Sequence, residues 1–306
     1  MARVRLTILD RGHRAPARMF FSMTSLVSRV DMSDVPKTLL YRPEFFGGPM
    51  LDLSAEAMRG PSYWTAGERE YLAMSIAKLL ECPYCAVTHE EMVRIATTGE
   101  IDPTDAASAR PELQAVLGFL ERVIGDPDAV SSTDLKPVRE RGVPDDAVRE
   151  ALRVAVVWNV VNRLANAFDF HLRPGQLEKG TRSLHRFGYR FPGFLTGPKP
   201  ARTDRAAPDG DDPLVERLRH SVLHGPAVTD PATRTAAATG GSLPEPDASF
   251  TATVRDASYR VTDADIDSLA AAGHSEDVIF ELTVAAAVGA ALRRYDAGRS
   301  ALNATD

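Results

Sequence analysis

The chain has 306 residues, of which 44% are hydrophobic and 25% are charged, a composition typical of one large or two ordinary globular domains. The net charge is −6 and no long basic run occurs, so we expect no nucleic-acid partner. No stretch approaches the roughly 18 apolar residues of a membrane helix, and the N-terminal residues lack the apolar core of a signal peptide. We therefore expect a cytoplasmic protein without a membrane partner.

Helical patterns follow one another along the chain. Thr65 and Glu68 have the spacing of a capping box, which predicts a helix that begins after Thr65 and ends near Leu80. Further helices are predicted over residues 82–97, 111–124, 133–141, 145–168 and 214–223. Because no alternating strand pattern occurs, we predict an all-α fold.

Two segments interrupt this pattern. Residues 197–213 are rich in Pro, Gly and charged side chains, which is typical of a linker. Residues 225–249 are rich in Ala, Thr, Pro and Gly and are predicted to be irregular. We predict a catalytic domain over residues 1–197, a linker over 198–213 and a C-terminal unit over 214–306.

The C-terminal unit resembles part of the first domain. A shift of 131 residues places Gly142 on Gly273, within a shared pattern of a short helix, a glycine and a long Ala/Val-rich helix. Ala-rich helices also resemble one another by composition, but the shared position of the glycine between the short and the long helix favours a duplication. The same shift places His220 opposite His89 and no cysteine opposite a cysteine. We predict a degenerate helical half-repeat without the cysteine pair.

The only two cysteines, Cys82 and Cys85, lie three positions apart. A disulfide across so small a loop stabilises a fold little, because the entropic gain grows with loop length. Pro83 favours the first position of a helix, which makes Cys82 the N-cap residue and places both sulfurs at the positive end of the helix. That position favours the thiolate, so we predict a redox-active pair.

Two side chains are predicted to move protons at this pair. His89 lies one helical turn after Cys85, on the same face, where an imidazole can take the thiol proton. Glu70 lies on the preceding helix in a row of small and apolar residues, so its carboxylate is expected to be buried and to need a partner.

Two other interpretations of these residues stay open. The same four side chains are suitable zinc ligands, although no second cysteine pair occurs elsewhere in the chain. Alternatively, the two cysteines are buried structural residues that happen to be close together. We favour redox chemistry over both, and we expect neither a metal nor a cofactor.

Further polar and aromatic residues have more than one interpretation. Arg163 is a candidate partner of an acid such as Glu70 or Glu81. The aromatic run at residues 185–195 is predicted to cover apolar surface. Three asparagines recur at helical spacing and are predicted to pack between subunits, or else to line a pocket near the cysteines: Asn159, Asn162 and Asn166.

One spacing pattern resembles the signature of the alkylhydroperoxidase D-like (AhpD-like) family, also called the carboxymuconolactone decarboxylase-like superfamily. The pattern is Glu70, then eleven residues, then Cys82-Pro-Tyr-Cys85, then three residues and His89. The stretch GEREYLAMSIAKLLECPYCAVTHEEMVR resembles the core of that family. The stretch GVPDDAVREALRVAVVWNVVNRLANAF resembles the downstream helix of its peroxidase-related branch. The resemblance covers about residues 20–195, and more weakly the repeat after residue 250.

The resemblance implies an AhpD-like helical bundle, a homo-oligomer and thiol-dependent peroxidase activity. Carried onto the matching residues, it makes Cys85 the peroxidatic cysteine, Cys82 the resolving cysteine, and Glu70 and His89 the proton relay. The helix end by itself favours Cys82 as the more acidic thiol, so the order of the two cysteines depends on the family. The implied partners are a hydroperoxide substrate and an external dithiol donor, either a lipoyl group or a thioredoxin-like protein.

Tyr84 is a departure from the family pattern, because some members have a histidine just before the second cysteine. A phenol titrates near 10 and is a poor base at neutral pH, although Tyr84 can line the site and donate a hydrogen bond. The alternative function is a non-peroxidase member of the same fold: a lyase resembling carboxymuconolactone decarboxylase, a disulfide reductase or a silent partner.

Overall fold

The computed structural model describes residues 4–196 and 212–304. Over these residues the chain forms sixteen α-helices and no β-strand, which confirms the all-α prediction. The helices are α1 (Ile8–Arg11), α2 (Ala15–Ser28), α3 (Asp34–Tyr41), α4 (Gly48–Arg59), α5 (Ala66–Leu79), α6 (Pro83–Thr97), α7 (Pro111–Gly125), α8 (Lys136–Glu140), α9 (Asp145–Ala167), α10 (Gln176–Phe187), α11 (Gly193–Thr196), α12 (Pro213–His224), α13 (Pro231–Thr239), α14 (Asp247–Ala257), α15 (Asp263–Ala271) and α16 (Glu276–Asn303).

Helix α5 begins with the predicted capping box. The Thr65 hydroxyl accepts a hydrogen bond from the Glu68 amide at 3.2 Å, and the Glu68 carboxylate accepts one from the Thr65 amide at 2.8 Å. Most side chains of α5 are buried, because α4, α6, α7 and α9 all pack against this helix. The row that contains Glu70 therefore lies inside the protein.

Helices α5 and α6 form a tight helical hairpin. Glu81 makes the turn with a left-handed φ of 50°, and the Cys82 amide donates to the carbonyl oxygen of Ala77 at 2.9 Å. Cys82 is the N-cap residue and Pro83 is the first residue of α6, as predicted. The hairpin thus places both cysteines against the last turn of α5.

The prediction of irregular structure over residues 225–249 is wrong, because α13 and the start of α14 lie there. Asp230 caps α13 by accepting a hydrogen bond from the Thr233 amide at 2.9 Å, and Pro231 occupies the first helical position. The Pro and Gly residues that suggested loops mark helix ends instead. Of the predicted linker over residues 198–213, all but the last two residues lie outside the described residues.

Helices α9 and α16 pack along each other and are buried over most of their length. Helix α9 also contacts α5 and α6, so one helix joins the cysteine hairpin to the C-terminal half of the chain. Helix α10 also packs against α6. In the described parts of the chain, no helix has both the length and the apolar character needed to cross a membrane.

Candidate active site

The two cysteines lie side by side at the start of α6, and both are reduced. Only 1% of Cys82 and 2% of Cys85 is exposed to solvent. The Cys82 side chain lies close enough to the Cys85 thiol to act on its pKa. Two cysteines three positions apart at the start of a helix can be joined by a disulfide after a local change of side-chain torsions.

Burial raises the pKa of the Cys85 thiol well above its usual range, and the neighbouring Cys82 raises it further. The sequence prediction that the helix N-terminus favours a thiolate here is wrong for Cys85 at rest. Removal from water disfavours the charged form more strongly than the helix end favours it. Because the thiolate is the nucleophile, Cys85 needs a base close by in order to react.

His89 is buried one turn after Cys85, and its Nδ1 lies 2.7 Å from Oε2 of Glu70 on α5. An ionised carboxylate can only accept hydrogen bonds, so Nδ1 carries the proton and the lone pair of the neutral imidazole is on Nε2. Helical side chains lean toward the N-terminus of their helix, so His89 leans toward the turn that carries Cys85. This arrangement suits a base for that thiol.

Glu70 is fully buried and is held by two donors besides His89. Nη2 of Arg59 donates to Oε1 at 2.6 Å, and the Tyr189 hydroxyl lies 2.9 Å from Oε1 and 3.0 Å from Oε2. Burial alone raises the pKa of Glu70, but the hydrogen bonds from His89 and Arg59 and the charge of Arg59 outweigh it. The net pKa is lowered, so Glu70 is a carboxylate at neutral pH and fixes the orientation of the imidazole.

The lowered pKa of Glu70 predicts a loss of stability in acid. The folded protein favours the carboxylate, so this stabilisation is complete above the ordinary pKa of 4.5 and is lost as the pH falls through the folded-state value. The difference in unfolding free energy between the wild type and Glu70→Gln should therefore shrink below pH 4.5. Urea unfolding of both proteins from pH 7 to pH 3 measures it, and a difference that stays constant would contradict the prediction.

Three more side chains belong to this site and were not predicted from the sequence: Arg59, Trp158 and Tyr189. The guanidinium of Arg59 lies 5.0 Å from the centre of the Tyr189 ring. The indole of Trp158 meets the edge of the His89 ring, with the two ring centres 3.9 Å apart. These side chains enclose the Glu70–His89 pair and separate it from solvent.

Tyr189 comes from the aromatic run that was predicted to cover apolar surface. Gly188 and Tyr189 both have left-handed backbones, with φ of 64° and 63°, so the chain turns sharply after α10. The turn buries the Tyr189 ring. Burial and the neighbouring Glu70 carboxylate raise the pKa of Tyr189 well above its usual range, so the hydroxyl stays a donor. A glycine just after a helix predicts such a turn, but it does not predict that Tyr189 binds the buried Glu70.

Tyr84 reaches from α6 toward α3 and the segment after α9. Its ring meets the edge of Phe170 at 5.7 Å between ring centres. Burial raises the pKa of Tyr84, which excludes it as a base at neutral pH. This agrees with the expectation from the sequence that a phenol cannot replace a histidine here.

The zinc alternative requires Glu70 and His89 to turn toward the sulfurs. Glu70 instead binds His89, Arg59 and Tyr189. Within residues 4–196 and 212–304, no group of three or more His, Cys, Asp or Glu side chains is arranged to hold a metal ion.

The asparagine row of α9 lies inside the chain, so the prediction that it packs between subunits is wrong. The amide of Asn166 donates to the carbonyl oxygen of Leu80 at 3.1 Å, beside the cysteine turn. Asn162 is fully buried one turn before Asn166 and one turn after Trp158. Neither amide atom of Asn162 has a hydrogen-bond partner among the described residues.

We predict that Asn162→Leu stabilises the protein. An unpaired buried polar group costs about 1–3 kcal/mol, and leucine has a similar shape without this cost. Asn159→Leu is the matched control, because the Asn159 amide donates to Ala155 at 2.9 Å and accepts from Arg163 at 2.9 Å. In urea unfolding, the first variant should gain stability and the second should lose it. A loss in both would show that Asn162 is paired.

Arg163 does not pair with Glu70 or Glu81, so that prediction is wrong. It is buried and donates to the carbonyl oxygens of Arg255 and Asn159, both at 3.1 Å. Burial and then repulsion from another arginine lower the pKa of Arg163 to about 9. The residue therefore joins the two halves of the chain and has no part in the relay.

No family model matches the chain, and no curated protein matches it. A solved structure is similar. It is described as an alkylhydroperoxidase AhpD core, an uncharacterized peroxidase-related protein from Ralstonia eutropha JMP134. The two sequences are 20% identical, and the match covers 57% of this chain and 94% of the other with a TM-score of 0.48.

Proposed function

We propose that the protein is a thiol-dependent peroxidase that reduces hydroperoxides through a dithiol/disulfide cycle of Cys82 and Cys85. The observation that carries the proposal is the buried Glu70–His89 pair, which lies one helical turn from two neighbouring buried thiols. A dithiol with its own buried base is suited to two-electron redox chemistry.

In the first step His89 takes the proton of Cys85 through Nε2, while the Glu70 carboxylate stabilises the imidazolium that forms. The Cys85 sulfur attacks the terminal oxygen of the hydroperoxide, and the O–O bond breaks. His89 returns the proton to the leaving alkoxide. The products are Cys85 sulfenic acid and an alcohol, and sulfur has been oxidised by two electrons while the peroxide has been reduced.

In the second step the Cys82 sulfur attacks the sulfenic sulfur of Cys85, and the hydroxyl leaves as water with the Cys82 proton. An external dithiol then reduces the Cys82–Cys85 disulfide by exchange and becomes a disulfide itself. Because both sulfurs are almost completely buried, a slender donor is favoured over a bulky one. A lipoyl group at the end of a flexible arm is therefore favoured over a thioredoxin-like protein.

A thiol titration of the full chain tests the proposal. The protein is treated with one equivalent of a hydroperoxide, unfolded, and its free thiols are counted beside an untreated sample. We expect both thiols to disappear and the intact mass to fall by about two hydrogens, as a disulfide requires. Retention of both thiols would overturn the proposal. Thiols that react with oxidised lipoamide but not with the hydroperoxide would indicate a disulfide reductase.

A further inference from the structure

Helices α4 and α12 correspond along their whole length. Both have twelve residues, and α12 begins and ends 165 positions after α4. Each is followed by a glycine with the same backbone angles, φ −68° and ψ 171° at Gly60 and φ −67° and ψ 169° at Gly225. Helix α13 likewise begins 165 positions after α5.

A buried arginine repeats with the same offset. Arg69 of α5 donates to the carbonyl oxygen of Gly60 at 2.9 Å, and Arg234 of α13 donates to that of Gly225 at 2.7 Å. Both guanidinium groups are shielded from solvent. A buried arginine bound to the end of the preceding helix is a costly arrangement, so its recurrence indicates common descent.

The later helices correspond with a different offset. Helix α16 begins 131 positions after α9, and α14 and α15 lie where α7 and α8 do. The capping box of residues 131–134 recurs at residues 262–265. Gly142 and Gly273, also 131 positions apart, both have left-handed backbones before these long helices.

The offset is 165 positions for the first helices of the second copy and 131 positions for its later helices. It falls by 34 because the second copy lacks a segment between them. Residues 240–246 join α13 to α14, at the place where residues 75–115 join the corresponding parts of α5 and α7. The missing segment contains α6, with both cysteines and the relay histidine. Since α12 corresponds to α4 and not to α6, the sequence alignment of His220 with His89 is revised.

The remaining positions of the site have also changed. Thr235 stands where Glu70 stands in the first copy. Gly289 stands where Trp158 stands, and a side chain at Gly289 would meet backbone atoms of Ala238 at 2.2 and 2.4 Å. Helix α13 therefore packs directly against α16 at the position where Trp158 stands in the first copy.

The two copies contact each other reciprocally. Nε of Arg163 donates to the carbonyl oxygen of Arg255 at 3.1 Å, and Nε of Arg294 donates to that of Ile124 at 2.9 Å. Arg294 lies 131 positions after Arg163, and Arg255 lies 131 positions after Ile124. Such an exchange of equivalent contacts is the property of a two-fold interface between like subunits.

We infer that residues 213–303 are a second copy of the unit at residues 48–167. This second copy has lost the helix that corresponds to α6, and it serves as a built-in partner subunit. The surface of the second copy that packs against α9 takes the place of a second subunit with its own cysteine pair. The chain is thus a fused dimer with one active site. This inference goes beyond the proposed function and does not depend on peroxidase chemistry.

A cleavable full chain tests the inference. A recognition site for a specific protease replaces residues 201–207, and the folded protein is cut and analysed by size-exclusion chromatography with light scattering. We expect the two fragments to stay together with the mass of the uncut chain. The fragment before the cut contains both cysteines and is called the redox fragment. Arg294→Met in the cut chain should release this fragment, which should then pair with a second copy of itself through the face of α9.

Arg293→Met is the matched control, because Arg293 is the adjacent residue but forms an exposed ion pair with Asp128. The control should keep the fragments together. Three results would overturn the inference: cut wild-type fragments that separate, an Arg294→Met complex as tight as the control, or a released redox fragment that stays monomeric or aggregates. None of these results depends on redox activity.

Discussion

Replacing Cys85 with serine is expected to reduce peroxide turnover to the rate of the uncatalysed reaction. A serine hydroxyl is a far weaker nucleophile than a thiolate, and His89 alone cannot make it attack a peroxide oxygen. The variant keeps the size of the side chain, so its fold and stability should change little. Consumption of hydroperoxide in the presence of reduced lipoamide measures the effect.

The matched variant is Cys82→Ser, which removes the second thiol of the same pair. It is expected to consume one equivalent of hydroperoxide and then stop, because Cys85 sulfenic acid has no thiol beside it to condense with. A dimedone adduct on Cys85, found by mass spectrometry, would identify the trapped species. If Cys85→Ser traps a sulfenic acid on Cys82 instead, the order of the two cysteines is reversed.

The local features of this site could be predicted from the sequence. The capping box at Thr65, the N-cap position of Cys82 and the shared face of Cys85 and His89 each depend on a few neighbouring residues. Helix geometry converts such spacings directly into positions. For the same reason the boundaries of α5, α6, α7 and α9 follow the predicted ranges closely.

The features that depend on distant parts of the chain could not be predicted. Tyr189 is 119 positions from Glu70, and nothing in the local pattern joins them. The pKa of Cys85 also depends on packing, because the sequence shows the helix end but not how completely the thiol is removed from water. Burial then outweighs the helix dipole.

The second copy was only partly visible in the sequence for a different reason. A single shift aligns one half of the repeat, and the loss of 34 residues moves the other half out of register. The pairing of Arg69 with Arg234 therefore becomes visible only through the helix ends they bind.

Glu70→Gln is expected to slow the oxidation of Cys85 by about 10²-fold, which is the lower part of the range for removing a general acid–base group. The carboxylate keeps the proton of His89 on Nδ1 and stabilises the imidazolium that forms when Nε2 takes the thiol proton. An amide can accept the same hydrogen bond but carries no charge to stabilise that cation. Substrate binding should change little, so the loss should appear in the rate of the chemical step.

Single-turnover kinetics can measure this rate, because Trp158 lies against His89 and its fluorescence is expected to report the change of charge beside it. Glu68→Gln is the matched control on the same helix. It alters a buried carboxylate that binds Arg110, while glutamine preserves the capping pattern. Equal rates in the two variants would show that the negative charge of Glu70 has no part in thiol activation, and the relay would then reduce to His89 alone.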